Sequence, residues 1–185
     1  MIGKKNIVFG FIYLVFTAAL GPYMINYMFP DMGTAVQGKQ RDVGQLQQIA
    51  EAEFENPETL EPMSAKELAK ANTRGILALS LLDNTRAPID EMKAGPHAHG
   101  NLEAVLNIVA GLVLCLLAAP ALYKQILSWL FILGAVLHSG MLYLRAFDVG
   151  FANNLLFLGP WTVLLALLLL GIASAIWLRP EVIKD

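Results

Sequence analysis

The chain has 185 residues, 56% of them hydrophobic and only 15% charged, with a formal net charge of −2. A composition this apolar is foreign to a water-soluble domain of that length and calls for a bilayer. The slight acidity gives no electrostatic footprint for nucleic acid, and a lone Cys115 excludes disulfides and cysteine-based metal sites.

Four apolar runs, residues 7–29, 104–123, 126–144 and 155–178, contain no Asp, Glu, Lys or Arg. Each is long enough to cross a hydrocarbon core of about 30 Å, which takes roughly 20 residues of helix. The expected fold is an all-α integral membrane four-helix bundle, a single domain with spans at about 7–29, 99–122, 126–146 and 155–178 and an outer helical loop over 31–95.

Lys4 and Lys5 precede the first run, and Thr17-Ala18-Ala19 has the look of a signal-peptide cleavage site. The apolar run continues well past Ala19, so a retained anchor is expected. Gly21-Pro22 predicts a kink, followed by interfacial Tyr23, Asn26 and Tyr27. Lys4, Lys5, Lys124, Arg179 and Lys184 all fall on one side of a four-span topology, which puts both termini in the cytoplasm and the long loop outside, as in a bacterial inner membrane.

From Asp31 to Pro96 there are eleven acids and seven bases. Val36, Val43, Leu46, Ala50 and Phe54 recur with helical spacing. Ser64 and Glu67 form a capping box ahead of Leu68, Ala71, Gly75, Ile76, Leu79 and Leu82, which fall on one helical face. Asn56-Pro57 is expected to separate the two helices and Pro88 to stop the second. Such helices suit a membrane surface, a cap over the bundle, or another subunit.

Chemistry concentrates at Gly95-Pro96-His97-Ala98-His99-Gly100-Asn101-Leu102-Glu103, where the loop enters the second span. His99, Glu103 and Asn107 are spaced i, i+4, i+8 and stack on one helical face. His138 lies within the third span, and an ionisable group at that depth marks function. If the turn between these spans covers Pro120 to Gln125, Asn107 and His138 are level, each thirteen residues from it. On that count His99 stands about 12 Å above their plane.

Three arrangements compete. Glu103, Asn107 and His138 can join by interhelical hydrogen bonds alone, leaving His97 and His99 wet. His97, His99, His138 and Glu103 offer ligands for a metal ion, although His97 and His99 point to different sides of a regular helix. Haem b is the third, held without covalent attachment because no Cys-x-x-Cys-His is present. The expected depth difference strains a His99/His138 pair on one iron, so a single axial ligand, His99, fits more easily.

Ala98-His99-Gly100, Leu106-Asn107, Tyr143 and Pro160 carry a resemblance to the styrene oxide isomerase family and, more distantly, to the haem-binding helices of haem–copper oxidases. It covers the three C-terminal spans. The resemblance implies a homotrimer in which His99 ligates a ferric haem b, with Asn107 and Tyr143 as pocket residues and an epoxide as substrate. The spacing from histidine to Leu-Asn is longer here, the outer loop is much longer, and Glu103 and His138 have no counterpart. The expected function is therefore a haem-b membrane protein acting on a small apolar epoxide, with Glu103, Asn107 and Tyr143 as catalytic candidates. His97, His99, His138 and Asn107 are the candidate cofactor-binding residues. The alternatives are a haem electron carrier serving a redox partner, a structural subunit gripping a larger membrane complex through residues 76–82, and a His/Glu metal site. Membrane lipid and further copies of the chain are the other expected partners.

Overall fold

A computed structural model describes residues 1–56, 59, 61–179 and 181. Pro57, expected to part the loop helices, and Lys184, counted among the cytoplasmic charges, lie outside the described residues. The described residues form helices and no strand, so the all-α class holds. Four helical stretches are long and apolar enough to cross a membrane: Gly3–Glu51, Ala65–Leu116, Ala121–Ala146 and Ala152–Trp177.

The first two stretches run far beyond the expected spans because their prolines do not end them. Pro88 lies inside a helix. Pro96 lies within a π-helical turn, Lys93–His99, and Pro22 shortly precedes another, Met24–Met28. Proline removes one backbone donor, and the extra residue of a π turn lets the helix continue around the gap. The chain divides into two compact units where a single domain was expected: Met1–Pro22 with Glu91–Asp185, and Tyr23–Asp90.

The smaller unit is built on α3 (Phe29–Glu51) and most of α4 (Ala65–Met92); α1 (Gly3–Ala18) and α2 (Leu20–Tyr23) precede them in the chain. Ala35 and Ile49 of α3 and Ala78 and Ile89 of α4 are buried, whereas Ile76, Leu79 and Phe54, placed on the inner face by spacing, are exposed. The capping box forms as expected. The Ser64 amide donates to Glu67 Oε2 at 2.9 Å and the Ser64 hydroxyl to the same oxygen at 2.6 Å, while the Glu67 amide donates back to Ser64 Oγ at 3.3 Å.

The larger unit contains α1, the Lys93–His99 turn, α5 (Gly100–Leu116), α6 (Ala121–Ala135), a third π turn (Val136–Gly140), α7 (Met141–Ala146), α8 (Ala152–Leu155) and α9 (Leu158–Trp177). α1 lies antiparallel against α5 in close backbone contact. A Cβ on Gly10 would come 2.6 Å from the Ala104 carbonyl oxygen, and one on Gly111 would come 2.7 Å from the Gly3 carbonyl oxygen. Only glycine lets these backbones meet. α6 packs antiparallel on both α5 and α9, around Leu114, Leu117, Leu127, Phe131, Ala166 and Ala173. The end of α9 is pinned to the α5–α6 connection, with Ala118 N donating to Trp177 O at 2.9 Å and Arg179 N to Leu116 O at 3.0 Å. Lys124, assigned to the cytoplasmic side by the sequence, is fully buried and donates to Leu117 O at 3.1 Å, just past the last turn of α5.

The α1 surface is inverted relative to a soluble helix. Its buried residues are Gly3, Asn6, Gly10 and Thr17, while Val8, Phe11, Ile12, Val15 and Phe16 are exposed.

Gly10→Val should overpack the α1–α5 contact at a cost of about 1–3 kcal/mol, lowering the thermal midpoint of the purified protein. Gly38→Ala, inside α3 with nothing within 4 Å of the added Cβ, should instead raise it slightly, since alanine favours a helix interior by about 0.5–1 kcal/mol. The capping box carries a pH signature. Hydrogen bonds from Ser64 hold the Glu67 carboxyl below its ordinary value. A depressed folded value means that the cap contributes fully above the ordinary carboxylate range and is lost as pH falls through the lowered value. Amide exchange in the first turn of α4, corrected for the intrinsic rate, should accelerate across that acid window, and Glu67→Gln should abolish the pH dependence.

Candidate functional site

The position of the site follows from where the helices end. α5 stops at Leu116, four residues before the expected turn, and α6 starts at Ala121. Counted from these ends, Asn107 is level with Leu130 rather than His138, and its Nδ2 donates to the carbonyl of the next residue, Phe131 O, at 3.1 Å. His99 lies seventeen residues before Leu116 and His138 seventeen after Ala121, so the two are level. Their ring centres are 4.7 Å apart and the ring planes are inclined at 55°. The expected 12 Å offset is thereby corrected, because the connection is extended at Leu117–Pro120 and does not consume equal lengths of helix.

Beneath the rings lies Glu103, 4% exposed. Side chains lean toward the N-terminus of their own helix, so on antiparallel α5 and α6 Glu103 and His138 lean toward one another. His138 Nδ1 lies 2.5 Å from Glu103 Oε1. The other oxygen, Oε2, accepts from the Ser139 hydroxyl and from the Ser139 amide at 3.3 Å. Tyr13 extends the chain to α1, its hydroxyl 2.8 Å from Ser139 Oγ. Two donors on Oε2 leave that oxygen as a pure acceptor, and a single proton shared between Oε1 and Nδ1 joins the carboxyl group to the His138 ring. His138 is then left with Nε2 as its remaining polar atom.

One turn away, Asn107 is 1% exposed and fully used. Nδ2 also donates to Glu103 O at 3.0 Å, and Oδ1 accepts from Asn6 Nδ2 at 3.0 Å. Asn6 in turn donates to Ser128 O at 3.0 Å and accepts from the Ser128 hydroxyl. Asn107 thus has both polar side-chain atoms bonded within the protein and acts as a clamp among α1, α5 and α6. Both carboxyl oxygens of Glu103 are likewise bonded, one of them to His138.

The three histidines separate. His97 Nδ1 lies 2.9 Å from Thr17 O. A carbonyl only accepts, so that nitrogen carries the proton and the ring braces the π turn against α1. His138 is half-buried and His99 is exposed. The His99 ring forms no hydrogen bond among the described residues, so both its nitrogens are available. Among the described residues no group of three His, Cys, Asp or Glu side chains could hold a metal ion.

Tyr143 falls elsewhere, in a cleft of about 360 Å³ lined by Tyr13, Phe16, Thr17, Gly140, Tyr143 and Leu144. Its ring packs on Phe147 with centres 5.2 Å apart. Glu91 and Arg145 pair at 2.6 Å and tie the end of α4 to α7.

Sequence inspection missed α1 altogether as a source of site residues. Asn6, Gly10, Tyr13 and Thr17 are spaced four, three and four, which is a small and polar stripe on one face of an apolar helix. Ser139, next to His138, carried no signal of its own. All three histidines lie in π-helical turns, a feature that recurs at functional sites.

Comparison with known protein families, curated proteins and solved structures finds no match. Fold and site therefore define the class by themselves: an all-α protein with four helices able to cross a membrane, enclosing a seam of hydrogen-bonded polar side chains beside two exposed-to-half-buried imidazoles.

Asn6→Ala should destabilise the bundle by about 1–3 kcal/mol, because it leaves the Asn107 and Ser128 groups buried without partners. Asn107→Ala should cost a similar amount, and the double variant should cost clearly less than the two together, since both remove the same bond. Chemical denaturation in detergent would measure all three.

Proposed function

We propose that this chain is an integral membrane protein that binds haem b through His99 and acts on a small apolar epoxide. The observation that carries the proposal is the exposed, unbonded His99 ring set against a second imidazole whose proton is fixed by a buried carboxylate.

The residues fit one haem arrangement and not another. Imidazoles on opposite faces of one iron have ring centres about 6 Å apart, given metal–nitrogen bonds near 2 Å. His99 and His138 are closer, at 4.7 Å, and touch, so no macrocycle passes between them. A single axial ligand fits, and His99 is the one with both nitrogens available. This also removes the intrachain basis for a bis-histidine electron carrier.

Haem held there would supply a Lewis acid for an epoxide oxygen. The chain's own residues hold and orient. Glu103 fixes His138 in one tautomer, Ser139 and Tyr13 fix Glu103, and Asn107 with Asn6 holds α5 against α1 and α6. The exposed position of His99 suits a cofactor lying on the outer face of the bundle and covered by a second copy. Lys4, Lys5 and Arg179 gather at the end of the bundle that holds the α5–α6 connection, where Lys5 Nζ donates to Gln125 at 2.6 Å; this supports cytoplasmic termini.

A second assignment rests on the same distance. Two imidazoles on adjacent positions of one small ion have ring centres about 4.4–5 Å apart, and 4.7 Å falls in that range. Such an ion would complete its coordination with water or substrate.

An absorption spectrum and pyridine haemochrome assay on protein expressed with ample haem test the proposal. The expected result is a Soret band that His99→Ala abolishes and His138→Ala preserves with a shifted maximum. A wild-type protein with no Soret band overturns haem binding. Stoichiometric metal without haem, lost in both variants, establishes the adjacent-imidazole ion instead.

A further inference from the structure

We infer that the cleft between α1 and α7 is a binding site for a small apolar alcohol or phenol, held by a hydrogen bond to the Tyr13 oxygen. Three observations on the cleft converge.

The first is size and lining. About 360 Å³ is near the lower end for ligand pockets, roughly 300–1,000 Å³. Tyr13, Phe16 and Tyr143 give it aromatic walls.

The second is the free valence of Tyr13. Glu103 Oε2 takes the Ser139 hydroxyl proton, so Ser139 Oγ is an acceptor toward Tyr13 and the phenol donates to it. Ala135 O, at 3.3 Å, can only accept as well. The donor of Tyr13 is therefore spent and its oxygen lone pairs are not. An O–H group from the cleft completes the oxygen, whereas an ether or a hydrocarbon does not.

The third is access. A Cβ on Gly140, itself a lining residue, would point at the Tyr13 hydroxyl oxygen from 3.4 Å. The absence of a side chain there keeps the inner wall open at the one polar atom the ligand needs. A bound hydroxyl would join a hydrogen-bonded series running through Tyr13, Ser139 and Glu103 to His138. This inference does not depend on haem and can be tested on the protein with or without it.

The test uses the full chain in lipid nanodiscs and a diazirine-bearing eight-carbon alcohol as photoprobe, with adducts located by mass spectrometry. Adducts are expected on Phe16, Tyr143 or Leu144, suppressed by excess 1-octanol and not by octane. Tyr13→Phe, which keeps the ring and removes the oxygen, should weaken octanol protection about three- to tenfold, the worth of one hydrogen bond. Gly140→Ala supplies an independent variant that crowds the same oxygen and should weaken octanol protection similarly. Equal competition by octane would show an acyl-chain groove and overturn the inference. So would adducts scattered over Val8, Phe11 and Val15, or octanol protection unchanged in both variants.

Discussion

The carboxylate of Glu103 is the constraint on which the rest of the larger unit depends. A carboxylate buried to 4% exposure costs several kcal/mol unless every lone pair facing the protein finds a donor. Here the donors are the His138 ring, the Ser139 hydroxyl and the Ser139 amide, all from the π turn that follows α6. That turn must sit at one height against α5, and the equal distances of His99 and His138 from their helix ends follow from it. Tyr13 and Asn6 then tie α1 to the same height, which is possible only because Gly3, Gly10 and Gly111 let the two backbones touch.

The energetics of α1 decide what surrounds it. Val8, Phe11, Ile12, Val15 and Phe16 face outward, and leaving side chains of this kind in water forgoes about 1.5–3 kcal/mol each. The interhelical hydrogen bonds that α1 gains average roughly 0.6 kcal/mol apiece within a membrane. The bonds fall short of the apolar surface left exposed by several-fold. A helix that turns its glycines and amides inward and its large apolar residues outward is stable only if the outside is itself apolar. The inverted face thus supports the bilayer assignment independently of hydropathy along the chain.

The fold class, the four apolar stretches and the Ser64–Glu67 cap were legible in the sequence because each rests on local chemistry: run length, absence of charge, and side chains three residues apart. The pairing of Glu103 with His138 was also within reach, from depth and polarity. Three features were not. The helix runs on through Pro88 inside α4, and its continuity past Pro96 depends on a π turn, which has no reliable sequence signal. The 4.7 Å approach of His99 to His138 depends on where α5 stops, and Leu117–Pro120 is apolar enough to read as helix. The part played by α1 was written as a stripe of small and polar residues, Asn6, Gly10, Tyr13 and Thr17, which run length and absence of charge do not register.

The polar seam has two ends with different chemistry. At one, Glu103 bonds the His138 ring, whose centre lies 4.7 Å from that of His99; at the other, the Tyr13 hydroxyl bonds Ser139 while its side chain lines an aromatic cleft. Only two residues, Glu103 and Ser139, separate them. In a low-dielectric surrounding, hydrogen bonds in series polarise one another, so a change of bonding at Tyr13 alters the acceptor strength that His138 meets at Glu103. The imidazoles and the cleft are therefore joined through bonds already made, and the carboxylate that fixes the register of the helices is also the link between them.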